Sequence, residues 1–424
     1  MRVLVVGGGG REHALSWALS TSPSVTEVVC APGNVGMSGV ARLAPLDPED
    51  PAAVVALARE VAADLVVIGP EGPLVAGVTD ALLHAGIDVF GPTAVAANLE
   101  GSKTFAKQIM AEAGVPTAGY WSGSDPDEAK QALDAYAPPY VIKADGLAAG
   151  KGVRICADRA EAEQAIDDAL VHRAFGDAGA SLVIEEYLDG PECSLFGLCD
   201  GRTVVALQPA QDFKRALDGD EGLNTGGMGA YSPVPAVDAD MVDEITRTVL
   251  QPVVDVMARR GTPFTGVLYA GLALTGAGPR VIEFNVRFGD PETQVVLPRL
   301  TSDLGLLLQA CARGDLAAAG PVIFSEDACV TVVMASGGYP GTYEAGKAIE
   351  GLGSAAALEG VTVFHAGTDE VGGRTVTAGG RVLAVSATGP DLAAARSRAY
   401  AGVAAITFAD AHVRTDIAVH PTGG

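Results

Sequence analysis

The sequence predicts a multidomain protein of mixed α/β and α+β class, with a parallel α/β domain first and a small domain at the carboxy terminus. Three observations carry that prediction. Short apolar runs alternate with helical stretches up to Gly101, the pattern of a parallel sheet covered on both sides. From Lys103 the pattern changes to strands joined by glycine-rich turns. After a Gly320-Pro321 break comes a last group of apolar strands with one Ala-rich helix. A chain of 424 residues favours several packed units over one core.

Taken in order, Arg2 to Val6 is an apolar strand ending in Gly7-Gly8-Gly9-Gly10, followed by a helix from about Glu12 to Leu19. Strands fit Glu27 to Ala31, Asp64 to Ile68 and Asp88 to Phe90, with a helix from Leu74 to Ala85. Tyr140 to Ala144 runs into the loop Asp145 to Gly152, and Val153 to Cys156 leaves it, so the pair reads as a glycine-rich flap. A helix fits Arg159 to Leu170, and strands fit Ser181 to Tyr187 and Cys193 to Cys199. Gln211 to Tyr231 shows no clear periodicity, and loops of that length inside a compact domain are usually functional. A helix covers about Asp240 to Arg260, before strands at Gly266 to Leu274 and Arg280 to Asn285. The last unit holds strands at Ala328 to Ala335 and Arg381 to Ala387, then a helix from Asp391 to Ile406.

The formal net charge of −24 opposes non-specific binding to nucleic acid or an anionic membrane, so neither is expected as a partner. Six scattered cysteines with no C-x-x-C pair argue against a zinc site or a disulfide framework. No signal peptide or membrane span is read, which makes the expected compartment cytoplasmic.

The chemistry concentrates in four places. The first glycine turn lacks the G-x-G-x-x-G spacing, because Glu12 or His13 stands at the sixth position, and no acid ends the second strand. A nicotinamide site is therefore rejected. A turn at a helix start still suits a phosphate, with Arg11 beside it. In the flap, Lys143 precedes the loop on an apolar strand, where an unpaired ammonium is costly, and Lys151 adds a cation at the tip. In Val281-Ile282-Glu283-Phe284-Asn285, alternation puts Glu283 and Asn285 on one face and Ile282 and Phe284 on the other. Two oxygen ligands there suit Mg²⁺. Arg287 to Glu292 adds a cation and two acids in a glycine turn, and Arg287 can hold a carboxylate in bidentate fashion. Gln211 to Arg215 and Asn224 to Gly229 supply charge and backbone amides, although by itself this segment is as readily an ordinary Ω-loop. Asp218 to Glu221 between them reads as a solvated tip. Of six histidines only His13, after the glycine turn, is a candidate for function.

Seven runs together resemble the phosphoribosylamine–glycine ligases (glycinamide ribonucleotide synthetases) of the ATP-grasp superfamily. They are Gly9–Ala14, Ala31–Asn34, Gly69–Glu71, Leu99–Lys103, Lys143–Gly152, Asn224–Tyr231 and Arg287–Gln294. Gly337–Gly341 and Phe364–Thr368 extend the likeness to the last unit. The resemblance implies an amino-terminal α/β substrate domain (1–101), an ATP-grasp core (102–325) with a mobile lid at about 121–187, and a carboxy-terminal domain (326–424). It implies ligation of glycine to 5-phosphoribosylamine with ATP in de novo purine synthesis, and a monomer or weak homodimer.

Carried over residue by residue, the resemblance assigns ATP to Lys103, Lys143, Gly150, Lys151, Gly152, Glu185, Glu186, Tyr187, Leu188 and Glu192. Mg²⁺ or Mn²⁺ goes to Glu283 and Asn285. The substrates go to Gly10, Arg11, Glu12, Asn224, Thr225, Gly226, Met228, Arg287, Gly289 and Asp290. Arg287, Lys143, Asp212 and Lys214 are the catalytic candidates, with Arg287 orienting the glycine carboxylate. Two positions depart from the family pattern: Phe213 where many members have His, and Leu223 where many have Pro. The strand Leu268–Leu272 offers no third acidic metal ligand. A carboxylase acting on bicarbonate would keep Lys143, Glu283 and Asn285 but not need the Arg287–Gln294 turn. A regulatory nucleotide-binding protein would need no metal pair.

Overall fold

The first unit is a five-stranded parallel sheet. In the computed structural model, which describes residues 1–146 and 152–419, its strands run in the order Arg42–Leu43, Glu27–Pro32, Arg2–Gly7, Leu65–Ile68 and Val89–Phe90. Val3 to Val6 and Leu65 to Ile68 are buried throughout, which is why they read as unbroken apolar runs. The strand order reverses beside Arg2–Gly7, so the glycine turn after it stands at the position where open α/β sheets bind ligands. Gly150, Lys151 and His420 lie outside the described residues.

Two readings of this unit change. The helix expected from Leu74 to Ala85 is two, Glu71–Val75 and Val78–His84, because Gly77 adopts φ +85° between them. A helix Pro51–Glu60 forms where none was expected, although its start is marked by Asp50, which accepts from the Ala52 and Ala53 amides, and by Pro51.

Two four-stranded antiparallel sheets follow. One comprises Tyr120–Gly123, Leu182–Glu186, Tyr140–Ala144 and Val153–Cys156. It has a small core of its own around Leu133, Ile142, Ile166 and Ile184. The flap strands pair as expected, with Lys143 opposite Val153. The other comprises Val204–Ala206, Glu192–Asp200, Thr265–Thr275 and Gly278–Asn285.

The alternation expected along Gly278–Asn285 is broken. Gly271 pairs with Glu283 but Leu272 pairs with Val281, so Ile282 is the extra residue of a β-bulge. Val281 and Phe284 join the core, while Ile282 lines the cleft with Glu283 and Asn285. Sequence alternation holds only for a regular pleat, and the bulge resets it.

The segment Gln211 to Tyr231 is a set of short strands and no Ω-loop. Arg215–Leu217 and Glu221–Asn224 form a two-stranded ribbon. Glu221 to Asn224 is exposed at every position, so no period could appear. Gln211–Asp212 and Gly229–Ser232 join the carboxy-terminal sheet, next to Ala328–Ser336, Arg381–Gly389 and Val361–His365. The helix Leu392–Ala405 covers that sheet with Ala395, Ala399 and Gly402. Asp212 and the Asn224–Met228 turn are thereby fastened to the last unit. Among the described residues no helix is long and apolar enough to cross a membrane.

Candidate active site

The two antiparallel sheets and the first unit wall a cavity of about 720 Å³. It gathers residues from all three parts: Arg11, Lys103, Lys143, Gly152, Glu185, Asp212, Lys214, Thr225, Gly226, Glu283, Asn285, Arg287 and Asp290.

One wall is cationic. Lys143 leaves its strand buried, and its Nζ donates to Glu185 Oε2 (2.9 Å) and Ile282 O (3.1 Å). Lys103 opens the helix Lys103–Ala113 and donates to Gly146 O (3.4 Å) at the flap base. Asp145 fixes that contact by accepting from Ser102 Oγ and the Thr104 amide. Burial lowers the Lys103 ammonium, with Glu283 opposing. Lys107, one turn on, is pulled down to about 8 by burial, against the pull of Glu185.

Glu283 faces this wall. Burial alone would raise its carboxyl, but Lys214, Lys143, Lys103 and Arg287 together hold it below the usual range. Its carboxylate accepts no hydrogen bond among the described residues, while Asn285 Oδ1 receives Arg287 Nη2 at 3.4 Å. An ionised carboxylate and an amide oxygen fit a hard divalent cation that keeps positions for phosphate and water. No group of three or more His, Cys, Asp or Glu side chains that could hold a metal converges among the described residues.

Arg287 lies across the cavity floor. Its Nη2 donates to Glu100 Oε1 (2.9 Å), its Nη1 to Phe288 O (3.3 Å), and Glu71 Oε2 stands 3.3 Å from Nε. Burial pulls the guanidinium down, but Glu100 and Glu71 more than restore it. The buried Nε–H makes no hydrogen bond among the described residues, its nearest acid being the ion-paired Glu71. A substrate carboxylate therefore meets a fork whose Nη2 edge is already held by Glu100.

The opposite end carries Asp212 and Lys214. Burial pushes Asp212 up to about 7, helped by Glu292 and Glu192 and opposed by Lys214, whose Nζ is 3.9 Å away. Lys214 also binds Glu192. Tyr269 donates to Glu292 Oε1 (2.6 Å) behind them. Arg381, from the carboxy-terminal sheet, donates to Gly226 O (2.7 Å) and Asp290 O (2.6 Å) and so pins two turns together. Asp290 Oδ1 receives Gln294 Nε2 at 2.7 Å. Gly227 takes φ +112° with Pro291 Cδ 2.4 Å from where a Cβ would stand, so the turn admits only glycine there.

Several assigned residues do not reach the cavity. Glu12 caps its own helix, with Oε2 on the Gly9 amide (2.6 Å) and Oε1 on Arg11, so the turn's anion site is filled by the protein. Gly10 packs against Gln294 and Asp290. Met228 is fully buried, and Gly289 packs against Glu292. Asn224 lines a second depression with Arg154 and Arg215. Glu186, Tyr187, Leu188 and Glu192 do not line the cavity, although Glu185 does. Glu186 pairs with Arg280, and Tyr187 is exposed. His13 is structural: its Nδ1 accepts from the His365 amide (2.8 Å) and its ring meets Phe364 edge-on. Phe213 lies under the Arg414 guanidinium (5.1 Å), and Leu223 is exposed on the ribbon.

The sequence reading missed Lys107, Glu100 and Arg381. Lys107 carried a signal, because it lies four residues after Lys103 on the same helix face. Glu100 stood inside the Leu99–Lys103 run but with no role marked, and Arg381 carried no signal, both being far in sequence from what they hold.

Facing antiparallel sheets, a lysine-lined cleft beside the flap strands and an acid–amide pair on the far strand define an ATP-grasp ligase. Family models for the phosphoribosylglycinamide synthetase N domain, ATP-grasp (A) domain and C domain match residues 1–100, 101–293 and 329–420. The chain belongs to the phosphoribosylglycinamide synthetase family. Phosphoribosylamine–glycine ligase of Streptomyces coelicolor is 57% identical over 425 residues, covering 100% of each chain. The crystal structure of phosphoribosylamine–glycine ligase from Thermotoga maritima is similar with a TM-score of 0.85 at 34% identity, covering 98% of this chain and 100% of that one. The biotin carboxylase domain of Hydrogenobacter thermophilus 2-oxoglutarate carboxylase, in complex with MgADP and bicarbonate, shares the fold. Its TM-score is 0.71 at 19% identity, covering 97% of this chain and 91% of that one.

Proposed function

We propose that this enzyme joins glycine to 5-phosphoribosylamine, the coupling its relatives' names describe, and that ATP is cleaved to ADP and phosphate in doing so. The observation that carries the reading is the ionised Glu283 carboxylate, which accepts no hydrogen bond among the described residues and faces Lys103, Lys143 and Lys214 across one cleft. A carboxylate held ionised among so many cations suits a site built for a metal-bound polyphosphate.

Lys103 and Lys143 hold the phosphates of ATP, and Glu283 with Asn285 hold Mg²⁺ or Mn²⁺. When bound, that ion neutralises phosphate oxygens as negative charge builds on the leaving ADP. Arg287 orients the glycine carboxylate through its guanidinium. One carboxylate oxygen attacks the γ-phosphorus, the bond to ADP breaks, and glycyl phosphate forms. The nitrogen of phosphoribosylamine then attacks the acyl carbon and phosphate leaves. Asp212 accepts the proton that this nitrogen loses, and Lys214 holds Asp212 near neutral pH as a base. Arg11, Thr225, Gly226 and Asp290, which line the same cavity, receive the phosphoribosyl end.

The test is ADP release with phosphoribosylamine generated in place. Release that requires both glycine and phosphoribosylamine is the expected result. Release that requires bicarbonate and ignores glycine would assign the cleft to carboxylation instead.

A further inference from the structure

A closed ring of buried and half-buried groups borders the cationic wall of the cleft, and Lys107 is its least expected member. Its side chain is 2% exposed, and Nζ stands 3.3 Å from Glu185 Oε1. The other carboxylate oxygen takes Lys143 at 2.9 Å, and Lys143 reaches on to Ile282 O at 3.1 Å. In the other direction Lys107 donates to Thr117 Oγ1 (2.8 Å), and Thr117 Oγ1 donates to Val281 O (2.7 Å). Both arms end on adjacent residues of the bulge that precedes Glu283.

The charges decide what the ring does. Two ammonium groups share one carboxylate, so the buried triad carries one net positive charge. Without Lys107, Glu185 would neutralise Lys143 completely, and the phosphate wall would lose a charge where water screens little. A buried charge surplus is costly unless a ligand answers it, and the cavity beside Lys143 is where an anion would do so.

We propose that Lys107 is a positioning residue for nucleotide phosphate: by sharing Glu185 it keeps the charge of Lys143 free for the cleft and holds that ammonium against the metal-bearing strand. The inference rests on the proposed function only in taking a nucleoside polyphosphate as the ligand.

The experiment compares the affinities of MgADP and adenosine, by calorimetry, in the full chain. Lys107→Met should weaken MgADP about tenfold, a change of about 1.4 kcal/mol, and leave adenosine within about twofold. The double variant Lys107→Met, Glu185→Gln restores one net positive charge, and should recover most of the MgADP-to-adenosine ratio. A merely structural lysine would move both ligands alike, and the second substitution would add to the damage. Should Lys107→Met fail to fold, Glu185→Gln alone raises the net charge to two, so its ratio should rise above wild type. An unchanged ratio in Lys107→Met, a double variant worse than the single, or an unmoved ratio in Glu185→Gln would overturn the inference alone. Wild-type protein that does not bind MgADP would overturn the proposed function with it.

Discussion

Arg287 Nη2 lies 2.9 Å from Glu100 Oε1, so a carboxylate at the end of helix Ala94–Gly101 aims the guanidinium that crosses the cleft. Glu100 Oε2 accepts the Val286 amide at 2.8 Å, which ties the same carboxylate to the residue before Arg287. Burial raises the Glu100 carboxyl even though Arg287 pulls the other way, while Glu100 is the leading charge that raises the buried Arg287 guanidinium.

Glu100→Gln keeps an acceptor for Val286 and removes the charge. The KM for glycine should rise by about tenfold, the worth of one charge-assisted hydrogen bond, while the KM for ATP moves far less. Steady-state kinetics with each substrate varied decides it. Equal changes in both would show that Glu100 does not act through Arg287.

Glu283→Gln removes the metal-facing charge while keeping size. Turnover should fall by at least about a hundredfold, because the ion supplies several kcal/mol of charge stabilisation. Nucleotide binding measured without metal should be maintained, since Lys103, Lys143 and Lys214 lose an opposing charge. Normal turnover in this variant would exclude the metal assignment.

Asp212 is pushed up to about 7, chiefly by burial, so it is protonated at pH 6 and ionised at pH 8. As a base it works in the ionised form, and kcat should rise with pH through about 7. Asp212→Asn should lower kcat by about 10²- to 10⁴-fold and flatten that limb. A rising limb that persists unchanged in the variant would assign it to another group.

His13 and His365 are lowered by burial to about 3 and about 4. Both stay neutral in the folded protein where the unfolded chain, with an ordinary value near 6.5, takes up protons. The unfolded state therefore binds more protons between about pH 4 and 6.5, and stability falls as pH falls through that window. Each group contributes about 1.4 kcal/mol per pH unit there. Thermal melts at pH 7, 6 and 5 should show the fall, and His13→Asn, which keeps an acceptor for the His365 amide, should make it shallower.

Much of the site was legible because its parts are compact in sequence. Lys143 beside its glycine loop, Glu283 with Asn285, and Asp212 with Lys214 each sit within a few residues, and each reaches the cleft. Ile282 was misplaced because a bulge adds one residue to a pleat, and nothing local announces it. Glu12 was read as a ligand group because the sequence cannot show that its carboxylate folds back on Gly9. The ribbon at Arg215–Leu217 and Glu221–Asn224 was illegible because a strand pair exposed along one whole strand leaves no apolar period.

By itself the sequence determined the alternating strands and helices, the flap, and the acid–amide strand, since side-chain periodicity and motif spacing are properties of neighbouring residues. Only the tertiary structure decided which charges meet. Lys143 and Glu185 are 42 residues apart, Arg381 and Asp290 91, and Arg287 and Glu100 187. A buried charge needs a partner to hold it, and folding supplies that partner from wherever the packed sheets bring one within reach.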